Sequence, residues 1–195
     1  MGRLGTAHLL DPDGLPLFSL REINNLPVAR KEAIYAALVP VPLFPRYGID
    51  PLTFQGPDGR RKIAFICPRG LGLLRIEVRL CPDDRDCVFF VEIADTPYRQ
   101  IELSFCLIND PDAPRYDIDM DEKGRDNYFG TLRRNIPEEI KAMKAGLSPN
   151  QVRRGLALFS DFFQQFERFV DSLGIDTIVA EPLSYNNAVR YEKYG

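Results

Sequence analysis

Apolar and polar residues alternate from residue 73 to residue 80: Leu74, Ile76, Val78 and Leu80 fall on one side, Arg75, Glu77 and Arg79 on the other. A period of two predicts a strand with one buried face. The same pattern recurs at 101–107, where Ile101, Leu103, Phe105 and Leu107 alternate with Glu102, Ser104 and Cys106, and again at 116–120. Residues 62–67 predict a short strand, and the nearly continuous apolar run at 87–93 suits a central one. The links between these runs are short and carry Pro-Asp, Thr-Pro and Asp-Pro turn chemistry, so the pattern predicts an antiparallel meander over 62–120. Leu74, Ile76, Val78, Ile101, Leu103 and Phe105 are its expected core.

Elsewhere the period changes. Residues 19–38 read as helix interrupted by Pro27, after an extended arm at 1–18, and the proline- and glycine-rich residues 39–59 read as a loop or extended cover. Ile136 opens a helix with Pro137, Glu138 and Glu139 in its first turn and Gly146 at its end. Ser148-Pro-Asn-Gln151 has the form of a capping box, predicting a further helix that starts at Pro149. Its stripe would be Val152, Leu156, Phe159, Phe163, Phe166, Val170 and Leu173, widened by Phe162 and Phe169 and ended by Gly174. A strand at 176–180 and a short helix at 184–193 follow. Strands first and helix–strand–helix afterwards predict an α/β (α+β) fold, a mixed and mostly antiparallel sheet with flanking helices, in a single domain over residues 1–195.

Composition narrows the function. With 45% hydrophobic and 27% charged residues the chain is ordinary for a soluble globular protein, and a net charge of −3 gives no general attraction to nucleic acid. No apolar run is long enough for a membrane helix, and residues 1–6 lack the apolar stretch of a signal peptide, although Gly2 and Thr6 fit a loose myristoylation pattern. The four cysteines, Cys67, Cys81, Cys87 and Cys106, form no CxxC pair and suggest a reduced, cytoplasmic setting rather than zinc. With His8 as the sole histidine, in the arm, Ser-His-Asp and Cys-His mechanisms have no support. Asp117, Asp119 and Asp121 would line one face of a strand, an arrangement able to bind a divalent cation, but the EF-hand pattern fails at Glu122 and Tyr128. A charged edge strand is the simpler expectation.

Two segments carry a resemblance. Leu147-Ser-Pro-Asn-Gln-Val-Arg-Arg-Gly-Leu-Ala157 resembles the pyrophosphate loop of the GNAT family of N-acetyltransferases, with Leu147, Pro149, Arg154, Gly155 and Ala157 on the pattern and Val152 off it. Tyr191-Glu-Lys-Tyr-Gly195 resembles the family's Tyr-Glu-Lys-x-Gly run near the sulfur of coenzyme A. On this alignment the family's usual asparagine and alanine fall on Ser184 and Asn187, and Asn186 and Asn187 are candidate polar contacts. The resemblance covers 147–195 and implies an acyltransferase using acetyl-CoA or another acyl-CoA as co-substrate. Its acceptor would be a small-molecule or peptide amine, and a homodimer is compatible with it.

The implied roles fall on particular residues. Arg153, Arg154, Gly155, Leu156 and Ala157 would hold the pyrophosphate, because free N–H groups at a helix start favour anions. If the helix begins at Pro149, however, those N–H groups lie inside it and are used up. Tyr191 would protonate the departing thiolate, and Glu102, with Glu92 as second choice, would take the proton of the attacking ammonium. Residues 110–146 are an insertion relative to the family, where acceptor specificity could reside. The alternatives are a catalytically inactive GNAT-shaped ligand- or partner-binding protein and, further off, a metal-binding protein built on the Asp117 cluster.

Overall fold

The structure, a computed structural model, describes residues 8–121, 123–127, 133–182, 188–189 and 191–192. It is a mixed α+β fold with helices flanking a five-stranded, mostly antiparallel sheet. The chain divides into two compact units, Met1–Ile108 with Ala157–Ala180, and Asn109–Leu156 with Glu181–Gly195.

In the first unit the strands are β1 (Ile63–Ile66), β2 (Leu73–Val78), β3 (Phe89–Asp95), β4 (Ile101–Ile108) and β5 (Ile178–Ala180), lying side by side in chain order. Neighbours from β1 to β4 are antiparallel, as short links require. β5 pairs with β4 in parallel, over Ile101↔Ile178, Glu102↔Val179 and Leu103↔Ala180. The expected alternation is present: Leu74, Ile76, Val78, Ile101 and Leu103 are fully buried. Phe105 is the exception. Between β3 and β4 the register slips, so that Ile93 faces Leu103 while Glu92 faces Phe105, and Ser104 is an extra residue. A bulge reverses which side follows. Phe105 therefore sits half-buried on the face of Glu92, edge-on to Phe90 at 5.6 Å.

Helices α1 (Leu20–Asn24) and α2 (Val28–Ala36) split at Pro27 as expected. Residues 39–59 are not purely loop: α3 (Leu43–Tyr47) forms there and ends at Gly48 with φ 60°. The helix spanning Phe159–Ser172 carries the aromatic stripe into the core. Phe162 and Phe166 are fully buried, and Phe162 meets Phe89 of β3 at 5.5 Å. Burying each such ring is worth about 1.5–3 kcal/mol. The arm, described from residue 8, is folded back. Leu17 N–H donates to Leu9 O, and Leu9 N–H donates to Ser172 O at the helix end.

Asp95, at the end of β3, holds the start of α1. Its two carboxylate oxygens accept from Leu20 N and Arg21 N, both at 2.9 Å, an anion at a helix N-terminus. Gly72 lies against this carboxylate, and a Cβ there would come within 2.3 Å of Asp95 Oδ2. Gly72→Ala is therefore expected to push the carboxylate off α1 and lower stability by about 1–2 kcal/mol, the loss of a helix cap. Urea unfolding checks it, and a variant as stable as the parent would show that Asp95 does not hold α1.

In the second unit, α4 (Ile136–Lys144) follows its Asn135 cap, as the sequence predicts; the aromatic helix is α5 in chain order. A small core gathers Ile118, Ala142 and Val152, with Tyr116 and Leu147 packed against it. The expected strand at 116–120 does not form. Met120 N–H closes a turn on Asp117 O, and Asn127, almost wholly buried, donates to the carbonyls of Ile118 and Met120.

Candidate functional site

β4 is where the sheet departs from regularity. Glu102 lies half-buried on the face away from the Ile101–Leu103 core, opposite Ala94 on β3 and Val179 on β5. The bulge residue Ser104 turns its hydroxyl toward it, donating to Glu102 Oε1 at 3.2 Å. Past Leu103 the parallel partner strand has ended at Ala180, while β4 continues to Ile108 paired only with β3. On that flank β4 has no strand partner among the described residues.

Glu92, the second candidate base, is already engaged. Arg75 Nε and Nη2 reach Glu92 Oε2 at 2.8 and 2.7 Å, and the same guanidinium lies 5.5 Å from the centre of the Phe90 ring. Glu102 has no such cation among its described partners and is the better placed of the two to accept a proton.

The capping-box expectation is corrected. Ser148 N–H does donate to Gln151 Oε1 at 2.9 Å, and Gln151 N–H to Ser148 O, so the local turn exists. It does not propagate. Asn150 and Ala157 adopt φ of 66° and 59°, left-handed values that stop a helix. The carbonyls of Val152 and Arg154 accept from Tyr116 N and Asp110 N instead of from residues one turn on. Val152 is buried in the small core of the second unit, not on the stripe of α5. The helix starts at Phe159.

This relocation changes what residues 153–157 can do. They precede the helix, so their N–H groups are not consumed by a helical ladder. Arg153 donates from Nη1 to Pro111 O at 3.0 Å, Arg154 is exposed, and Gly155 and Leu156 are half-buried outside any helix or strand. Ala157, exposed, makes the left-handed turn into Leu158, which caps α5 with no side-chain hydrogen bond. Asp161 in the first turn works against an anion at that helix start.

Of the C-terminal candidates, Tyr191 is half-buried in a short helical turn closed by Glu192 N–H on Ala188 O at 2.9 Å. Asn186 and Asn187 lie outside the described residues. The aspartates of the would-be metal face are turned to arginines. Asp117 and Asp119 both pair with Arg115, and Asp119 does so through both oxygens at 3.0 and 2.8 Å. Asp121 pairs with Arg125; the Arg125 N–H, and then its guanidinium, hold the Asp121 carboxyl down at about 2. Among the described residues no three metal-ligating side chains converge. The cysteines offer no nucleophile in the core: burial pushes the Cys87 thiol up to about 11 and raises that of Cys67.

Sequence reasoning missed Ser104. The run Ile101-Glu-Leu-Ser-Phe-Cys-Leu107 alternates without a break, and a bulge is a property of two paired strands, so one strand carries no sign of it. Compared with protein-family models, curated proteins and solved structures, the chain matches none. Among the described residues, no helix is long and apolar enough to cross a membrane.

Proposed function

We propose that the protein is an acyltransferase that moves an acetyl or other acyl group from acyl-CoA to an amine acceptor in the cytoplasm. The observation that carries this reading is the behaviour of β4: parallel to β5 as far as Leu103, then bulged at Ser104 and, among the described residues, without a strand partner on that flank. A flank of this kind offers backbone donors and acceptors to an extended ligand, as an unpaired strand edge does. The start of α5, entered from residues 153–157 without a side-chain cap, adds N–H groups, whose pull on a phosphate Asp161 in the first turn reduces. Arg154 adds an exposed positive charge.

The chemistry follows from the groups present. Glu102 takes a proton from the acceptor ammonium, and the Ser104 hydroxyl orients the carboxylate. The freed amine attacks the thioester carbonyl, whose developing negative charge needs a backbone donor. Collapse of the tetrahedral adduct forms the amide and breaks the C–S bond. The departing thiolate takes up a proton from solvent, and the proton left on the adduct nitrogen is released to solvent, so that a neutral amide and a thiol result.

A thermal-shift titration with coenzyme A tests the reading. At a concentration 100-fold above Kd, a ligand that binds only the folded chain stabilises it by about 2.7 kcal/mol. The Tm is expected to rise with CoA, and Gly155→Asp, folded by circular dichroism, is expected to abolish the rise by setting a carboxylate among the phosphates. No shift in the parent protein would end the reading. A shift without turnover across an amine panel would leave a binding protein in its place.

A further inference from the structure

The second unit holds a cavity of about 220 Å³ at the side of α4, which neither the strand flank nor the loop at 153–157 uses. Ile118 and Ala142, both buried, form its apolar floor, and Met143, largely exposed, stands at its mouth. Among the described residues, the charged groups that line it are Arg134 and Glu139. Arg134 Nε donates to Glu139 Oε1 at 3.0 Å, and Arg134 Nη2 pairs with Glu139 Oε2. Glu139, Ala142 and Met143 share one face of α4 by their spacing of three and four. The Ser148–Gln151 turn, with Asn150 at φ 66°, brings Ser148, Pro149 and Asn150 into the lining.

We propose that this cavity binds a small zwitterion with an apolar side chain, an α-amino acid of about the size of leucine. The volume lies below the roughly 300–1,000 Å³ of sites for drug-sized ligands. The floor asks for aliphatic surface, and the rim offers one charge of each sign. The Arg134–Glu139 pair is solvent-exposed on the arginine side, at 65% for its side chain against 22% for the glutamate. Such a pair adds little stability, so opening it costs little. Once open, the guanidinium fork takes a carboxylate through two parallel N–H bonds, and the carboxylate of Glu139 takes an ammonium. A ligand with one charge alone would satisfy one partner and strand the other. The proposal does not depend on the acyl-transfer reading.

The test uses the full chain, isothermal titration calorimetry and methyl NMR, with L-leucine, its decarboxylated amine, its deaminated acid and glycine as probes. Leucine is expected to bind at millimolar concentration or below and to shift the methyl signals of Ile118 and Met143. The amine, the acid and glycine are expected to bind at least ~10-fold more weakly, because each lacks one matched group. Arg134→Gln and Glu139→Gln are each expected to weaken leucine by ~10-fold or more with unchanged circular dichroism. Absence of leucine binding overturns the proposal. So does equal binding of the singly charged analogues, or retained affinity in both variants. If a variant fails to fold, the methyl shifts of the parent protein decide: shifts confined to residues away from Ile118 and Met143 overturn it.

Discussion

Acyl transfer by the Glu102→Gln protein is expected to run about 10²–10⁴-fold slower than by the parent, the range that removing a general base commands. Glutamine keeps an acceptor oxygen for the Ser104 hydroxyl, so the local hydrogen bond survives and stability is expected to change by less than about 0.5 kcal/mol. Affinity for acyl-CoA is expected to stay the same, because the lost interaction belongs to the transition state rather than to ground-state binding. An unchanged circular dichroism spectrum and urea midpoint separate this from a structural effect. Full activity in Glu102→Gln would remove Glu102 from the mechanism. Glu92 would not be the natural replacement, since Arg75 already holds its carboxylate.

Asn24→Ala is expected to lower folding stability by about 3–5 kcal/mol, since each buried partner left unsatisfied costs about 1–3 kcal/mol. Asn24 is fully buried at the end of α1, and its amide ties three elements together. Nδ2 donates to Leu71 O at 2.7 Å and Leu73 O at 2.8 Å, at the entry to β2. Oδ1 accepts from the buried Tyr35 hydroxyl of α2 at 2.5 Å. Burial raises the Tyr35 pKa far above its ordinary value, so that hydroxyl is a donor at every accessible pH. Asn24→Asp is expected to be worse: a carboxylate still accepts from Tyr35 but offers nothing to the two carbonyls and brings a buried charge. Urea midpoints give the ranking, parent above alanine above aspartate. An alanine variant within about 0.5 kcal/mol of the parent would mean that water replaces the amide, and that the network does not tie α1 and α2 to β2.

The candidate site was legible to different depths. Glu102 stood out because it is a lone acid in an apolar alternating run, and the strand bears it on the predicted face. Its neighbour Ser104 did not, because the bulge depends on how β3 and β4 pair. The segment 147–158 misled in an instructive way. Its capping-box residues do make the expected Ser148–Gln151 bond, yet a capping box specifies only the first turn. Whether a helix continues depends on where the next carbonyls find donors. Here they find Tyr116 and Asp110, distant in sequence. The cavity beside α4 was likewise out of reach, since Ile118, Arg134, Glu139 and Asn150 meet only through folding.

What the amino-acid sequence by itself determined are the elements whose signal is local and repeated. β2 and the first half of β4 follow from a period of two, α5 from Phe159 onward follows from its aromatic stripe, and the break at Pro27 follows from a missing N–H. In each, neighbours a few residues apart already state which side must leave water. Tertiary structure alone decided the parallel pairing of β5, the bulge that turns Phe105 away from the core, and the late start of α5. Those depend on backbone groups satisfied by partners far along the chain. The competition between a helical bond four residues away and a strand-like bond some forty residues away is settled only when both partners are in place.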